Sequence, residues 1–453
     1  MKKVLIISLA FPPVPYVGVL RITKFCKYLP EMGWQPSVLT QKVREFYEGK
    51  DWSPMEDINK DISIIRTPNF QPFYWWDHPS HKGRSSLNFS SSKALPDVIS
   101  SRLPLNIMTS NILRPLRKLL TVPDEKLVWI PQAFLPGIKQ IHREKIDVIF
   151  SSSPVVTNHI LGYLLSLLTG RPHVVDFRDL WTLNEVYFAR QLPGFLKQYD
   201  KLWEKAILNH SKRIIVVNQT LKKQLTNTYP GICRNKVEVI YNGFDDEDKE
   251  QIDLPTLKND QFTIVYAGSI YVHRSPVFFF EALSEWVHKN EAVRKKIKVD
   301  FYGSGYSNYS QKILDLKLGK IATFHPRVTR KEILQVLFNA DLLLLIHGFN
   351  KLVASSTSTK LFEYLATGKP ILALMPESEA ADIVRKYSKK NTVVSIPDTK
   401  KVVGFMQKQF DEWDKMKRPI PCEIDTSPEF SRKNQAKKLG FVLDTLLNKD
   451  CLR

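Results

Sequence analysis

Four cysteines in 453 residues, Cys26, Cys233, Cys422 and Cys451, stand too far apart for a disulfide framework or a paired metal-ligand spacing. They read as ordinary buried or surface thiols of a reducing compartment. Long apolar runs are also missing: the longest candidates, 160–168 and 342–346, fall short of the roughly 18 residues a membrane-spanning helix needs. Any membrane contact is therefore expected to be peripheral. Between Ser8 and Gly18 there is no Gly-x-Gly-x-x-Gly turn, which argues against a dinucleotide oxidoreductase. Acidic residues are in deficit, with 46 Asp and Glu against 66 Lys and Arg, a net charge of +20 and a pI near 9.5. Such a surface attracts nucleic acid, phospholipid headgroups or phosphorylated metabolites, and charge alone does not choose among them. Two lysines before the run from Val4 to Phe11 give the outline of a signal peptide. That run is short, however, and Pro12, Pro13 and Pro15 stand where a small-residue cleavage site belongs, so the segment reads as a buried first strand.

What is present is material for two cores, since single cores rarely grow beyond about 250 to 300 residues. Short β-branched runs alternate with helical patterns: Val4–Ser8, Ile62–Arg66, Val148–Ser151, His173–Asp176, Arg213–Val217 and Val237–Tyr241. A second series follows, at Phe262–Ala267, Lys298–Tyr302, Ile321–Phe324, Asp341–Ile346, Pro370–Leu374 and Thr392–Ser395. The pattern predicts parallel sheets with crossover helices. Ile22, Phe25, Cys26, Leu29 and Met32 share one helical face ended by Gly33. The acidic stretch 245–260 reads as the linker, with Asp245, Asp246 and Asp248 as solvated charge. The expected organisation is an α/β chain of two doubly wound Rossmann-like domains, 1–245 and 246–420, with 421–453 as a C-terminal helix returning to the first.

Residues 69–122 interrupt this rhythm with an aromatic cluster (Phe70, Phe73, Tyr74, Trp75, Trp76), a serine-rich run and seven Lys or Arg against two Asp. Ile107, Met108, Ile112, Leu113, Leu116, Leu119 and Leu120 form an apolar stripe beside Arg102, Arg114, Arg117 and Lys118. Such a stretch either lies on an anionic bilayer or packs on its own domain with solvated charges.

The strongest local signal is Thr357–Pro370, Thr-Ser-Thr-Lys-Leu-Phe-Glu-Tyr-Leu-Ala-Thr-Gly-Lys-Pro, after a buried strand. Ser358 and Thr359 are good N-caps, Leu361, Phe362, Leu365 and Ala366 share a face, and Gly368 with Pro370 stops the helix. A strand, loop and helix N-terminus in that order aim backbone N–H groups and a positive dipole end at one spot, where anions bind. Lys360 adds a mobile charge there, and Glu363, one turn in, either accepts ribose hydroxyls or simply favours the dipole.

This stretch resembles the donor site of glycosyltransferase family 4 and its relatives of the GT-B fold, in which the two domains face each other across a cleft. In the family's pair of glutamates, Glu363 takes the second, ribose-binding place and the first falls on Ser355. Tyr266-Ala267-Gly268-Ser269 matches the end of the first strand of the second half, with Ser269 replacing the usual Arg, and Arg274 matches a Lys on the donor phosphates. Ile240–Asp245 resembles the segment closing the first domain, and Tyr302-Gly303-Ser304-Gly305 the glycine turn after the next strand. Phe11-Pro12-Pro13 with Gly18 and Arg21 resembles the opening loop that approaches the donor phosphates. Asp176-Phe177-Arg178-Asp179 resembles a loop often reading His-Asp, so Arg178 would bind phosphate or orient Asp179, or else form a local ion pair.

The resemblance implies retaining, metal-independent transfer of a hexosyl unit from a nucleotide-diphosphate sugar to a lipid-linked or glycan acceptor. The setting it implies is the cytoplasmic face of a membrane in cell-surface polysaccharide synthesis, with no bound cofactor. Arg274, Lys360 and the amides near Ser358 and Thr359 would stabilise the leaving diphosphate, and Asp179 would position the acceptor hydroxyl. Two other readings stand beside it. An epimerase or hydrolase acting on the same donors would share the architecture, and a nucleic-acid-binding protein would explain the charge and Trp75-Trp76, although no compact binding module is evident.

Overall fold

The computed structural model describes residues 1–14, 18–43, 50–69, 122–184, 187, 192–232, 234–250, 252–254, 257–270, 274–349, 354–416, 419–420 and 428–447. Its strands form two parallel sheets. The first holds β1 (Lys2–Ile7), β2 (Trp34–Gln41), β3 (Ser63–Thr67), β4 (Val148–Ser152), β5 (His173–Phe177), β6 (Arg213–Val216) and β7 (Val237–Val239), in the order β3-β2-β1-β4-β5-β6-β7. The second holds β8 (Phe262–Ala267), β9 (Ile297–Tyr302), β10 (Ala322–His325), β11 (Leu342–Ile346), β12 (Ile371–Leu374) and β13 (Asn391–Val394), in the order β10-β9-β8-β11-β12-β13. Each is a doubly wound order that reverses direction once, between β1 and β4 and between β8 and β11. Loops leaving the carboxyl ends of the strands diverge at such a point and open a crevice for ligands.

The chain packs as two units, Met1–Tyr241 with Lys433–Arg453, and Asn242–Arg432. In unit 1 both sheet faces are covered: Val4, Ile6, Phe25, Trp34 and Phe150 lie in one apolar cluster, and Leu5, Ile7, Trp129, Ile149 and Leu161 in another. This explains why the strands are apolar without alternation. Helix α1 (Val19–Tyr28) supplies Ile22, Phe25 and Cys26 to the first cluster. In unit 2 a large cluster gathers Phe262, Phe280, Phe301 and Trp413.

The sequence reading did not contain β2. Gln35, Pro36, Ser37 and Thr40 dilute its apolar signal, and a proline normally argues against an inner strand. Pairing with β3 starts only at Ser37, so Pro36 has a ladder neighbour, Val4, on one side alone. The return to unit 1 comes at Lys433, later than the expected 421. Phe430 explains the delay, being packed in unit 2 against Phe362 and Tyr387 with ring centroids 4.8 and 5.0 Å away. The final helix, Arg432–Asp444, then adds Ala436, Leu439 and Leu443 to the first cluster of unit 1, and its Asp444 accepts a 2.8 Å bond from the Trp34 indole. Among the described residues no helix is long and apolar enough to cross a membrane. The expected membrane-facing stretch, with Arg102, Arg114, Arg117 and Lys118, lies outside the described residues.

Candidate active site

At the β8/β11 switch point of unit 2 the backbone is bared by two glycines. Gly268, directly after β8, has φ +134°, a conformation that side chains disfavour, and a Cβ placed there would stand 1.8 Å from the Lys360 Nζ. Lys360 therefore lies over naked main chain. Gly303, directly after β9, has φ +146°, and its Cβ would meet the Gly268 carbonyl oxygen at 2.5 Å. The Gly268 N–H donates to the Tyr302 carbonyl (2.7 Å), and its own carbonyl accepts from the Tyr306 hydroxyl (2.8 Å), which ties the two turns together. Ser269 and Ser304 share a 2.8 Å hydroxyl contact, and the Arg327 guanidinium reaches Ser269 Oγ at 3.3 Å. The arginine missing from position 269 thus has a cationic neighbour from another loop.

Facing these turns is helix α2 (Thr359–Thr367). Ser358, its N-cap, is extended as expected, yet its hydroxyl makes no capping bond and meets His347 Nε2 at 3.0 Å. The first-turn N–H groups keep their dipole without a side-chain acceptor from the cap. The Lys360 Nζ sits 4.6 Å from the centre of the Tyr266 ring and 3.2 Å from its hydroxyl. Burial, and then the charge of Arg274, lower its pKa to about 7 against the opposing pull of Glu363. His347, just past β11, is held neutral with a pKa of about 3 by burial and by Arg274 and Lys360. Lys360, Arg274, Gly268, Ser269, Gly303, Ser358 and Thr359 are thus gathered by the ends of three strands and one helix. The cluster brings the Lys360 and Arg274 side chains to the helix N-terminus, a set of groups that suits a polyanion.

Glu363 is engaged: its Oε1 accepts from Arg330 Nη1 at 2.7 Å, and Arg330 also grips Asp248 at 2.7 Å. Asp248, read from the sequence as solvated linker charge, is a half-buried ion-pair partner on a short helix, Asp246–Glu250. Four acidic residues in a row, Asp245–Asp248, look like solvated chain until a distant guanidinium turns Asp248 inward, and Asp245, expected to be solvated as well, is buried.

Unit 1 has its own cluster at the ends of β4 and β5. Asp176 is fully buried and takes both oxygens to Arg21, at 2.8 and 3.0 Å, while Ser152 donates to it at 2.7 Å. Arg21 spends its other donors on the carbonyls of Tyr241 (2.8 Å) and Ile240 (3.0 Å). Expected on the donor phosphates, Arg21 is instead a strut that joins α1, β5 and the segment after β7, with 1% of its surface exposed. Arg178 reaches the Gly18 carbonyl at 2.6 Å and the Ser153 carbonyl, which fixes the glycine loop against the end of β5. Asp179, beside it, is exposed. Ser355 is half-buried in the loop before α2. Among the described residues no group of three or more His, Cys, Asp or Glu side chains could hold a metal ion.

Behind this cluster, Ser151 Oγ lies 2.7 Å from His159 Nδ1 and 2.8 Å from His173 Nε2. Burial lowers the pKa of His159 to about 3 and that of His173 well below its usual value. These imidazoles, with His347, stay neutral in the folded chain and protonate near pH 6.5 once it unfolds. Stability is therefore whole above pH 6.5 and falls as the pH drops toward 3, by roughly 2 kcal/mol per imidazole at pH 5. The melting temperature at pH 5 should lie clearly below that at pH 7; an equal or higher value would contradict the burial of these rings.

Residues 96–248 match the family described as Glycosyltransferase Family 4. No curated protein matches the chain by sequence. Sucrose-phosphate synthase from Thermosynechococcus elongatus superposes with a TM-score of 0.60 at 11% identity, covering 99% of each chain. HepE from Anabaena, in complex with UDP and glucose, gives 0.56 at 12% identity, again over 99% of each chain. A Listeria monocytogenes protein assigned as a UDP-N-acetylglucosamine 2-epimerase gives 0.53 at 12% identity, over 99% of this chain and 97% of that one. Likeness at such identities establishes the two-unit α/β fold and does not by itself separate transfer from epimerisation. The family match favours transfer: residues 96–248 are similar to the family 4 glycosyltransferases, on a fold of the GT-B type.

Proposed function

We propose that this enzyme moves a sugar from a nucleotide-diphosphate donor to a lipid-linked or glycan acceptor on an anionic membrane surface, with retention of configuration, in cell-surface polysaccharide synthesis. The observation that carries this reading is Lys360 lying over Gly268 at the start of α2, with Arg274 close enough to depress its pKa. A diphosphate fits there because bare backbone admits its oxygens, the helix end presents N–H groups, and two cations oppose its charge. Glu363 is assigned to the ribose.

In transfer the bond from the anomeric carbon to the β-phosphate oxygen breaks, and the nucleoside diphosphate leaves with the electron pair. The acceptor oxygen bonds to the same face of that carbon, and its proton passes to the departing phosphate. Lys360 and Arg274 stabilise the negative charge as it develops. Asp179 positions the acceptor hydroxyl, and Arg178 fixes the loop that carries it. The proposed setting is the cytoplasmic side of a membrane, where the basic surface meets anionic lipid.

A melting panel of UDP, GDP, ADP and dTDP, free and as sugar conjugates, tests the donor assignment, because a ligand that binds only the native state raises its melting point. One base should stand out, and release of its nucleoside diphosphate from the sugar conjugate should depend on added acceptor. No shift with any member would overturn the assignment; consumption of the donor without acceptor, or its conversion to an epimer, would favour hydrolase or epimerase chemistry.

A further inference from the structure

Arg330 has no place in the sequence-derived site, yet it touches Glu363. It opens helix Arg330–Asn339, whose start is fixed by a capping box in which Thr329 Oγ1 and the Glu332 carboxylate exchange bonds with each other's backbone N–H. The backbone at Arg330 is thus rigid before its side chain does anything. From there the guanidinium runs between two carboxylates, giving Nη1 to Glu363 Oε1 (2.7 Å) and Nη2 and Nε to Asp248 Oδ2 (2.7 and 3.2 Å). The side chains of Arg330, Glu363 and Asp248 are 21%, 12% and 16% exposed, so solvent screens these contacts only in part.

Two details of this triad bear on ligand binding. A glutamate has three rotatable bonds, and a carboxylate already pinned on one oxygen loses less freedom when it accepts hydroxyls on the other. Two carboxylates around one guanidinium also leave a net charge of minus one, so Glu363 keeps its strength as an acceptor. With Asp248 alone removed, Arg330 would neutralise Glu363 and be able to swing toward the diphosphate instead. We propose that Arg330, anchored by Asp248, is a positioning residue that presents Glu363 to the ribose hydroxyls and so sets the affinity for ribonucleotides. This rests on the reading of Glu363 as the ribose ligand.

The test uses the full chain and calorimetric titration with UDP, GDP and ADP, each beside its 2′,3′-dideoxy counterpart. Glu363→Gln should weaken the preferred ribonucleotide about tenfold while leaving its dideoxy form unchanged. Arg330→Ala and Asp248→Asn should show the same selective loss, and Arg330→Ala combined with Glu363→Gln should bind no more weakly than Glu363→Gln alone. In steady state the single variants should raise the donor KM with kcat little changed. Arg330→Lys keeps a charge without the planar fork and serves if the alanine variant does not fold. If Glu363→Gln has no effect, the ribose reading fails. If it has the selective effect while Arg330→Lys and Asp248→Asn bind like the parent, or lose both nucleotide forms equally, Arg330 is only a brace and the inference is overturned.

Discussion

Replacing Lys360 with alanine is expected to slow sugar transfer by about one to three orders of magnitude while the melting temperature stays near that of the parent. The ammonium sits over the Gly268 backbone with Tyr266 as its neighbour, so its removal leaves the apolar face of α2 in place. The depressed pKa makes the prediction sharper. With its pKa lowered to about 7 by burial and by Arg274, Lys360 is only partly protonated near neutral pH, and a bound diphosphate would restore its charge. Nucleotide binding should therefore take up a proton between about pH 7 and 9, and this uptake should vanish in Lys360→Ala. Calorimetry in two buffers of different ionisation enthalpy measures it. Near-normal turnover of the variant, or uptake that survives the substitution, would remove Lys360 from the site.

Cutting the other charged cluster should show in stability first. Arg21→Ala strands the Asp176 carboxylate, which is fully buried, and the carbonyls of Ile240 and Tyr241. Breaking a buried pair from one side costs about 3 to 5 kcal/mol, because the remaining charge has no compensation. In a unit of this size that corresponds to a fall of roughly 10 °C in melting temperature. Arg21→Lys should recover little, since an ammonium cannot supply a planar fork to one carboxylate and two carbonyls. Thermal melting followed by circular dichroism decides the matter. A variant that melts with the parent and loses only nucleotide affinity would return Arg21 to the donor phosphates.

The sequence spoke most clearly where cause and effect are adjacent in the chain. Every strand but β2 announced itself by an apolar run, and α2 by its cap, its apolar face and the Gly368 stop. β2 hid because Pro36 and its polar neighbours obscure a strand whose place is secured by Val4 and Ile64 across the ladder. Lys360 and Gly268 were each legible as parts of a turn and a helix start, but their juxtaposition is a product of the β8/β11 crossover. Glu363 was legible on its helix, but the contacts Arg330 makes with it and with Asp248 carried no local signal: the partners lie 33 and 82 residues away. Arg21 shows the reverse difficulty. An arginine after a glycine loop has the same spelling whether it holds a ligand or braces the core, and only its burial against Asp176 tells the two apart.

The last helix also orders events in time. Ala436, Leu439 and Leu443, which cover Trp34, leave the ribosome only after all of the second unit has been made. The nascent first sheet must wait with that side unsealed, and a neighbour that can fold from its own residues emerges in the meantime. Maturation of the first sheet is thus tied to synthesis of the whole second unit, and a chain stopped short of Lys433 leaves the sheet made before that unit as the one left open.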